Sequence, residues 1–271
     1  MASTNELFPH PATLIGMLHL GALPGTPFQG ESLDAVVERA VGEARLLAQL
    51  GYEVLIVENM GDRPYLAREV GPEITAAMTR ACLEVRRALP EMPLGVQVLA
   101  GVNETSIAVA HATGADFIRA EGFVFASVAD EGILSEASAG PLLRYRRQLG
   151  AEHIAILADV KKKHSSHAIT SDVSLAETAR ACAFSGADAL IVTGVATGEP
   201  TRPTDLALCH GAVDLPILVG SGVTPEQVPE LARAGAAGLI VGSYLKREGD
   251  WRNPVDPERA AALVTAVKSE R

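Results

Sequence analysis

Residues 46–57 read LLAQLGYEVLIV: a helical stretch that stops at Gly51, a two-residue link, then Val54-Leu55-Ile56-Val57, a short run apolar at every position. Glycine suits the residue past a helix C-terminus, where a positive φ is costly for any residue carrying a Cβ. An unbroken apolar run after so tight a link is the pattern of a strand buried on both faces. The unit recurs. Gly114 precedes Phe117-Ile118, Gly150 precedes Ile154-Ala155-Ile156-Leu157, Gly186 precedes Ala189-Leu190-Ile191-Val192, and Gly235 precedes Leu239-Ile240-Val241. Such a repeat is sought before any single motif, because it decides the architecture.

Three further runs, residues 14–20, 94–99 after Pro93 and 217–219 after Pro216, bring the predicted strands to eight. Between them lie helical patterns. Val36, Val37, Ala40, Val41, Ala44, Leu47 and Ala48 fall on one stripe. Thr224-Pro225-Glu226-Gln227 reads as a helix start with a capping Thr, a Pro at N1 and a Gln at N3. Ser174 with Glu177 offers a second capping box, and a last helix is expected from about Pro257. Eight alternating units in 271 residues favour an α/β fold, a (β/α)8 TIM barrel forming a single domain over 1–271. An open doubly wound sheet is the alternative. One connection is long: residues 121–138, EGFVFASVADEGILSEAS, follow the fourth strand before a helix begins near Ala139. Long βα loops in barrels serve as lids or substrate-binding elements, or are plain excursions.

The chain is 48% hydrophobic and 21% charged, with 4% aromatics, so the core must be built from Val, Leu, Ile and Ala. A formal net charge of -10 argues against nucleic acid and anionic membrane surfaces as partners. A small anionic ligand stays compatible, since a local cluster of donors can override the overall sign. Cys82, Cys182 and Cys209 are odd in number and far apart, and read as reduced, partly buried helix residues of a cytoplasmic protein. The opening MASTNELFPHP has no basic region followed by an apolar stretch, and no run has the length of a membrane span.

Chemistry in such barrels gathers where strands end at their C-terminal face. His19 ends the first strand, Glu58 and Asn59 the second, Gln97 the third, and Arg119 with Glu121 the fourth. Asp159 ends the fifth and runs into Lys161-Lys162-Lys163-His164-Ser165-Ser166-His167; Thr193 and Gly194 end the sixth. Alternation puts Asp159, Lys161 and Lys163 on one face if the extended conformation persists. A crowded lysine can serve as a nucleophile or base, or its charge can bind an anion. His164 or His167 could act as general acid or base. Gly220-Ser221-Gly222-Val223-Thr224 after strand seven, with Gly242-Ser243 after strand eight, sits where these barrels bind phosphate, and Thr224 is expected to open a helix whose N-terminus favours an anion. Glu58, Glu121, Asp159 and His19 could also gather around a divalent cation. Neither a cysteine ligand pair nor an HExxH motif is present, and a dinucleotide fingerprint is absent.

Nearly the whole chain resembles the BtpA/SgcQ family. The resemblance is carried by IGMLHLGALPGTP (15–27), VENMGDRPY (57–65), GADFIRAEGFVFASVADEGIL (114–134), LLRYRRQLGA (142–151), LADVKKKHSSHAITSD (157–172) and VTGVATGEPT (192–201), followed by LVGSGVT and LIVGSYLK. It implies a barrel similar to those that bind ribulose phosphates. Members are linked to photosystem I assembly in cyanobacteria, and others sit among sugar-transport genes. Many carry an Asn-Val-His-like segment after strand four and a Val-Lys-His-like one after strand five. Here those places read Glu121-Gly122-Phe123 and Lys162 to His167, which marks a distinct branch.

Two functions are therefore expected. The first is an enzyme, of lyase or isomerase type, acting on a small phosphorylated sugar or nucleoside-like metabolite. His19 and Asp159, with Glu58 and His164, would act in acid/base or metal-binding roles and Lys161 or Lys163 as electrophile or nucleophile. Asn59, Gln97, Arg119, Glu121 and Thr193 would orient the substrate, while Gly220, Ser221, Gly222, Gly242 and Ser243 would hold phosphate. The second is a non-catalytic assembly or stabilisation factor in a photosystem I biogenesis-like role, which requires an exposed apolar patch. The helix stripes end in Arg45, Arg86-Arg87 and Glu230, so no such patch is expected. Self-association into a homo-oligomer follows from analogy with other barrels, not from these residues.

Overall fold

The computed structural model describes residues 4–194 and 201–271. Eight parallel strands close into a barrel: β1 (Thr13–His19), β2 (Val54–Glu58), β3 (Leu94–Gln97), β4 (Phe117–Ala120), β7 (Ala155–Asp159), β9 (Ala189–Thr193), β10 (Ile217–Gly220) and β11 (Gly238–Val241), with β11 pairing back onto β1. All eight apolar runs of the sequence are therefore barrel strands, and the open sheet is excluded. A short helix α1 (Thr4–Leu7) precedes the barrel. A helix then follows each barrel strand: α2 (Leu33–Leu50), α3 (Pro72–Ala88), α4 (Asn103–Thr113), α5 (Ala139–Gln148), α6 (Leu175–Phe184), α7 (Pro203–His210), α8 (Val228–Arg233) and α9 (Pro257–Glu270). The five repeat glycines all take positive φ, from 67° at Gly150 to 104° at Gly51.

The period of two along each strand sorts side chains into two cores. One set points outward into the helices, among them Leu14, Leu55, Val96, Leu190 and Leu239. The other fills the barrel: Ile15, Met17, Val54, Ile56, Phe117, Ala155, Leu157, Ile191, Leu218 and Ile240, with Leu7 and Phe8 joining them from the N-terminal segment. Phe117 is the bulkiest side chain that the strands contribute, and Gly95 on the neighbouring strand makes room for it; a Cβ there would come 2.2 Å from its ring. Continuing the inward alternation by one step brings His19, Glu58, Gln97, Arg119, Asp159, Thr193, Gly220 and Gly242 to the C-terminal rim. The top layer of the barrel is polar because the sequence changes chemistry at that step.

Residues 121–138 have secondary structure of their own. They fold into a hairpin of β5 (Ser127–Ala129) and β6 (Gly132–Leu134), and β5 also pairs antiparallel with β8 (Ser165–Ser166), which lies in the loop after β7. Two successive βα loops thus share one small sheet.

Several local expectations change. Thr224 does not open a regular helix: residues 225–227 form a turn, Gln227 Oε1 accepts from the Thr224 N–H at 3.1 Å, and α8 starts at Val228 with only six residues. The α2 stripe carries an unforeseen polar member, Glu43, buried with Lys246 at 2.6 Å and accepting from the Val255 N–H at 3.0 Å. Ser174 caps α6 as expected, accepting from the Glu177 N–H. The cysteines are wholly rather than partly buried, and burial pushes the Cys82 thiol up to about 12, so it is inert. Apolar side chains do reach the surface: Phe184 on α6 is 95% exposed, and Leu208 on α7 is exposed as well. Among the described residues no helix is long and apolar enough to cross a membrane.

Candidate active site

A cavity of about 210 Å³ opens at the C-terminal mouth, lined by His19, Glu58, Arg119 and Lys163 on one side and by Ser221, Gly222, Gly242, Ser243 and Arg259 on the other. A second of about 130 Å³ adjoins it beneath the hairpin, sharing Glu58, Met60 and Lys163 and adding Tyr65, Glu121, Glu131, Lys162 and His164.

His19 Nε2 lies 3.2 Å from Glu58 Oε2, with both side chains nearly buried on paired strands. Burial alone would raise the Glu58 carboxyl, but the His19 hydrogen bond and charge, with Lys163 and Arg119 beyond, outweigh it and hold the group below its usual range. A depressed carboxylate contributes stability that is present above its unfolded value, about 4.3, and is lost as pH falls through the lower folded value. Urea denaturation of Glu58→Gln across that acid range is therefore expected to show a shallower loss of stability than the parent; identical acid limbs would contradict it. The other ring nitrogen, His19 Nδ1, is buried with no hydrogen-bond partner among the described residues. Gly242 permits this ring position, since a Cβ there would stand 2.9 Å from His19 Cε1.

Arg119 Nε and Nη2 each donate to one oxygen of Asp159, both at 2.9 Å, with Asp159 wholly buried. Burial opposes the guanidinium charge, yet Asp159 more than compensates and raises Arg119 above its ordinary value. Glu121 accepts from Gln97 Nε2 at 3.3 Å and lies 3.7 Å from Lys162 Nζ, which pairs with Glu131 of the hairpin tip at 2.7 Å. Burial raises the Glu121 carboxyl, Lys162 opposing. Lys163 is lowered, first by burial and then by Arg119. Partial desolvation followed by Lys163 also lowers His164, whose backbone takes φ 53°.

Not every expected residue reaches the mouth. The shared face of Asp159, Lys161 and Lys163 does not form, because the strand ends at Asp159: Lys161 turns away and donates to Val173 O at 3.2 Å. Asn59 is tied into the scaffold at both ends of its amide, donating to Asp62 at 2.8 Å and accepting from the Leu99 N–H at 2.8 Å. Thr193 donates to Lys161 O at 3.1 Å. His167 contacts Lys162 O at 3.0 Å. The gathering of His19, Glu58, Glu121 and Asp159 around a cation does not occur: the carboxylates face an imidazole, an amide and a guanidinium in turn, and among the described residues no three His, Cys, Asp or Glu are placed to hold a metal. Val195 to Pro200, part of the VTGVATGEPT block, lie outside the described residues.

Residue types alone did not single out Lys162, Glu131 or Arg259. Arg259 stands in the first turn of α9, its Nε donating to Tyr244 O at 2.7 Å and its guanidinium 4.2 Å over the Tyr244 ring. Ser221 has φ 90° between Gly220 and a left-handed Gly222, a conformation that costs a non-glycine residue about 1–3 kcal/mol. With no regular helix beginning at Thr224, an anion at this corner would rest on loop N–H groups and on Arg259 rather than on a helix dipole.

Sequence comparison agrees with the fold and narrows the kinship. The BtpA family matches residues 10–269. An uncharacterised mitochondrial protein of Caenorhabditis elegans is 41% identical over 260 residues, covering 94% of this chain and 93% of its own. The photosystem I biogenesis protein BtpA of Synechocystis is 37% identical, covering 94% and 87%. Among solved structures, (S)-3-O-geranylgeranylglyceryl phosphate synthase from Thermoplasma acidophilum, in complex with sn-glycerol-1-phosphate, aligns with TM-score 0.63 at 16% identity over 98% of this chain and 96% of that one. At that identity the likeness concerns the fold alone.

Proposed function

The chain belongs to the BtpA family, and from that premise we propose that it is an enzyme acting on a small phosphorylated metabolite by proton transfer, of lyase or isomerase type. One observation carries the reading. Among the described residues Lys163 and Arg259 have no carboxylate within 4 Å, and both line the cavity that also holds His19, Glu58 and the two Gly-Ser corners. In a chain of net charge -10, two unpaired cations facing one cavity are an anion site. Ser221, Gly222, Gly242 and Ser243 with Arg259 would hold the phosphate. His19, oriented by Glu58, would move the proton, and Lys163 with Arg119 would stabilise negative charge developing on a substrate oxygen. The solved structure with a phosphorylated ligand is consistent with this reading through its fold.

Thermal or urea denaturation with a panel of sugar phosphates tests it. A ligand at a hundred times its Kd stabilises by about 2.7 kcal/mol, and Arg259→Ala is expected to abolish that gain. No stabilisation by any phosphorylated compound would refute the reading.

A second reading, partner binding, is favoured by the hairpin's outer face. Val128 and Ile133 form a cross-strand pair exposed to 39% and 69%, with exposed Ile169 on the turn beside β5. Partner capture lost in Ile133→Ser but kept in Arg259→Ala would favour it.

A further inference from the structure

The 130 Å³ cavity beneath the hairpin is left unused by the phosphate reading, although it opens beside the proposed phosphate lobe and shares Glu58, Met60 and Lys163 with it. Its wall includes Glu121, whose side chain is 4% exposed. Gln97 holds one carboxyl oxygen, Oε1; the other, Oε2, has no hydrogen-bond partner among the described residues. Gln97 Oε1, buried behind it, is unpartnered too. A buried acceptor without a donor costs about 1–3 kcal/mol, more when charged. The surrounding cations do not remove that cost: Lys162 is drawn to Glu131 and stays 3.7 Å from Glu121, and Arg119 is spent on Asp159.

The character of the missing donor follows from its neighbours. A ligand ammonium or a metal ion would share this small space with Lys162 and Lys163, whereas a hydroxyl brings a donor without a charge. The volume, about 130 Å³, is enough for a short substituted chain.

We infer that this cavity receives the hydroxylated carbon chain of a sugar phosphate, a hydroxyl donating to Glu121 Oε2 while the phosphate occupies the adjoining lobe. The inference rests on the phosphate reading above and narrows its substrate class to phosphorylated sugars. Glu58, shared by the two lobes, and its partner His19, on the wall of the phosphate lobe, then face the carbons next to the phosphate-bearing end.

Calorimetric titration of the full chain with inorganic phosphate, ribose 5-phosphate and uridine 5′-monophosphate tests it. Ribose 5-phosphate is expected to bind at least about tenfold more tightly than inorganic phosphate, the yield of one hydrogen bond to a charged acceptor. Glu121→Met should bring the two affinities together, with far-UV circular dichroism reporting that the variant is folded. Glu121→Gln, closer in shape, should narrow the difference in the same direction. A ribose 5-phosphate affinity no better than that of inorganic phosphate, a preference that survives both substitutions, or tighter binding of the nucleotide would overturn the inference alone. Failure of all three probes to bind would overturn the phosphate reading and this inference with it.

Discussion

Asp159→Leu is expected to lose about 3–5 kcal/mol of stability in urea denaturation, the range for removing one partner of a buried ion pair. Arg119 is 4% exposed and its Nε and Nη2 are both occupied by the missing carboxylate, so the substitution leaves a cation inside the barrel with two unmet donors. Glu58 and Glu121 attract it from a distance but do not form ion pairs with it. The informative companion is Arg119→Met in the same chain. A buried pair replaced by apolar side chains of similar size is often neutral or stabilising, so the double variant should recover most of the loss. Should the single variant fall by less than about 1 kcal/mol, or the double variant fall as far as the single, the pair is not the electrostatic tie its geometry indicates.

The second large effect concerns turnover. With the phosphorylated substrate returned by binding, His19→Gln is expected to lower kcat/KM by about 10²–10⁴, the span contributed by a positioned acid–base group. Its Nε2 is committed to Glu58, which fixes the ring at the cavity wall. Glu58→Gln keeps a hydrogen-bonding group at the same place and removes the charge, so its loss should be smaller than that of His19→Gln and should appear in kcat rather than in KM. Turnover by His19→Gln within a few-fold of the parent would remove histidine from the chemistry and leave Lys163 as the group to test.

The barrel was legible because its signal is periodic. Glycines at helix ends and apolar runs after them mark each unit without reference to distant residues, and the eight runs become the eight strands. Alternation along those strands also carries His19, Glu58, Gln97, Arg119 and Asp159 to one rim, so strand position sufficed to name them. Past the last ladder hydrogen bond that rule lapses. Lys161 and Asn59 both follow strand ends, and where their side chains turn depends on Val173 and on Asp62 and Leu99, partners that no local pattern announces. Lys162 is the middle of a run of three lysines, and its burial depends on Glu131, thirty-one positions away in a hairpin whose pairing with β8 is itself non-local. Arg259 stands in the first turn of the last helix, after the corner that follows β11, but only closure of the barrel brings it to the same cavity as Ser221.

The little sheet formed by β5, β6 and β8 has a bearing on how such a protein can be redesigned. In most barrels each loop at the catalytic face can be exchanged by itself, and new specificities are sought one graft at a time. Here the segments after β4 and β7 are stitched by backbone pairing and by the Glu131–Lys162 tie. A transplant of either one would leave an unpaired strand edge and a stranded charge, so the two must travel together as a cassette.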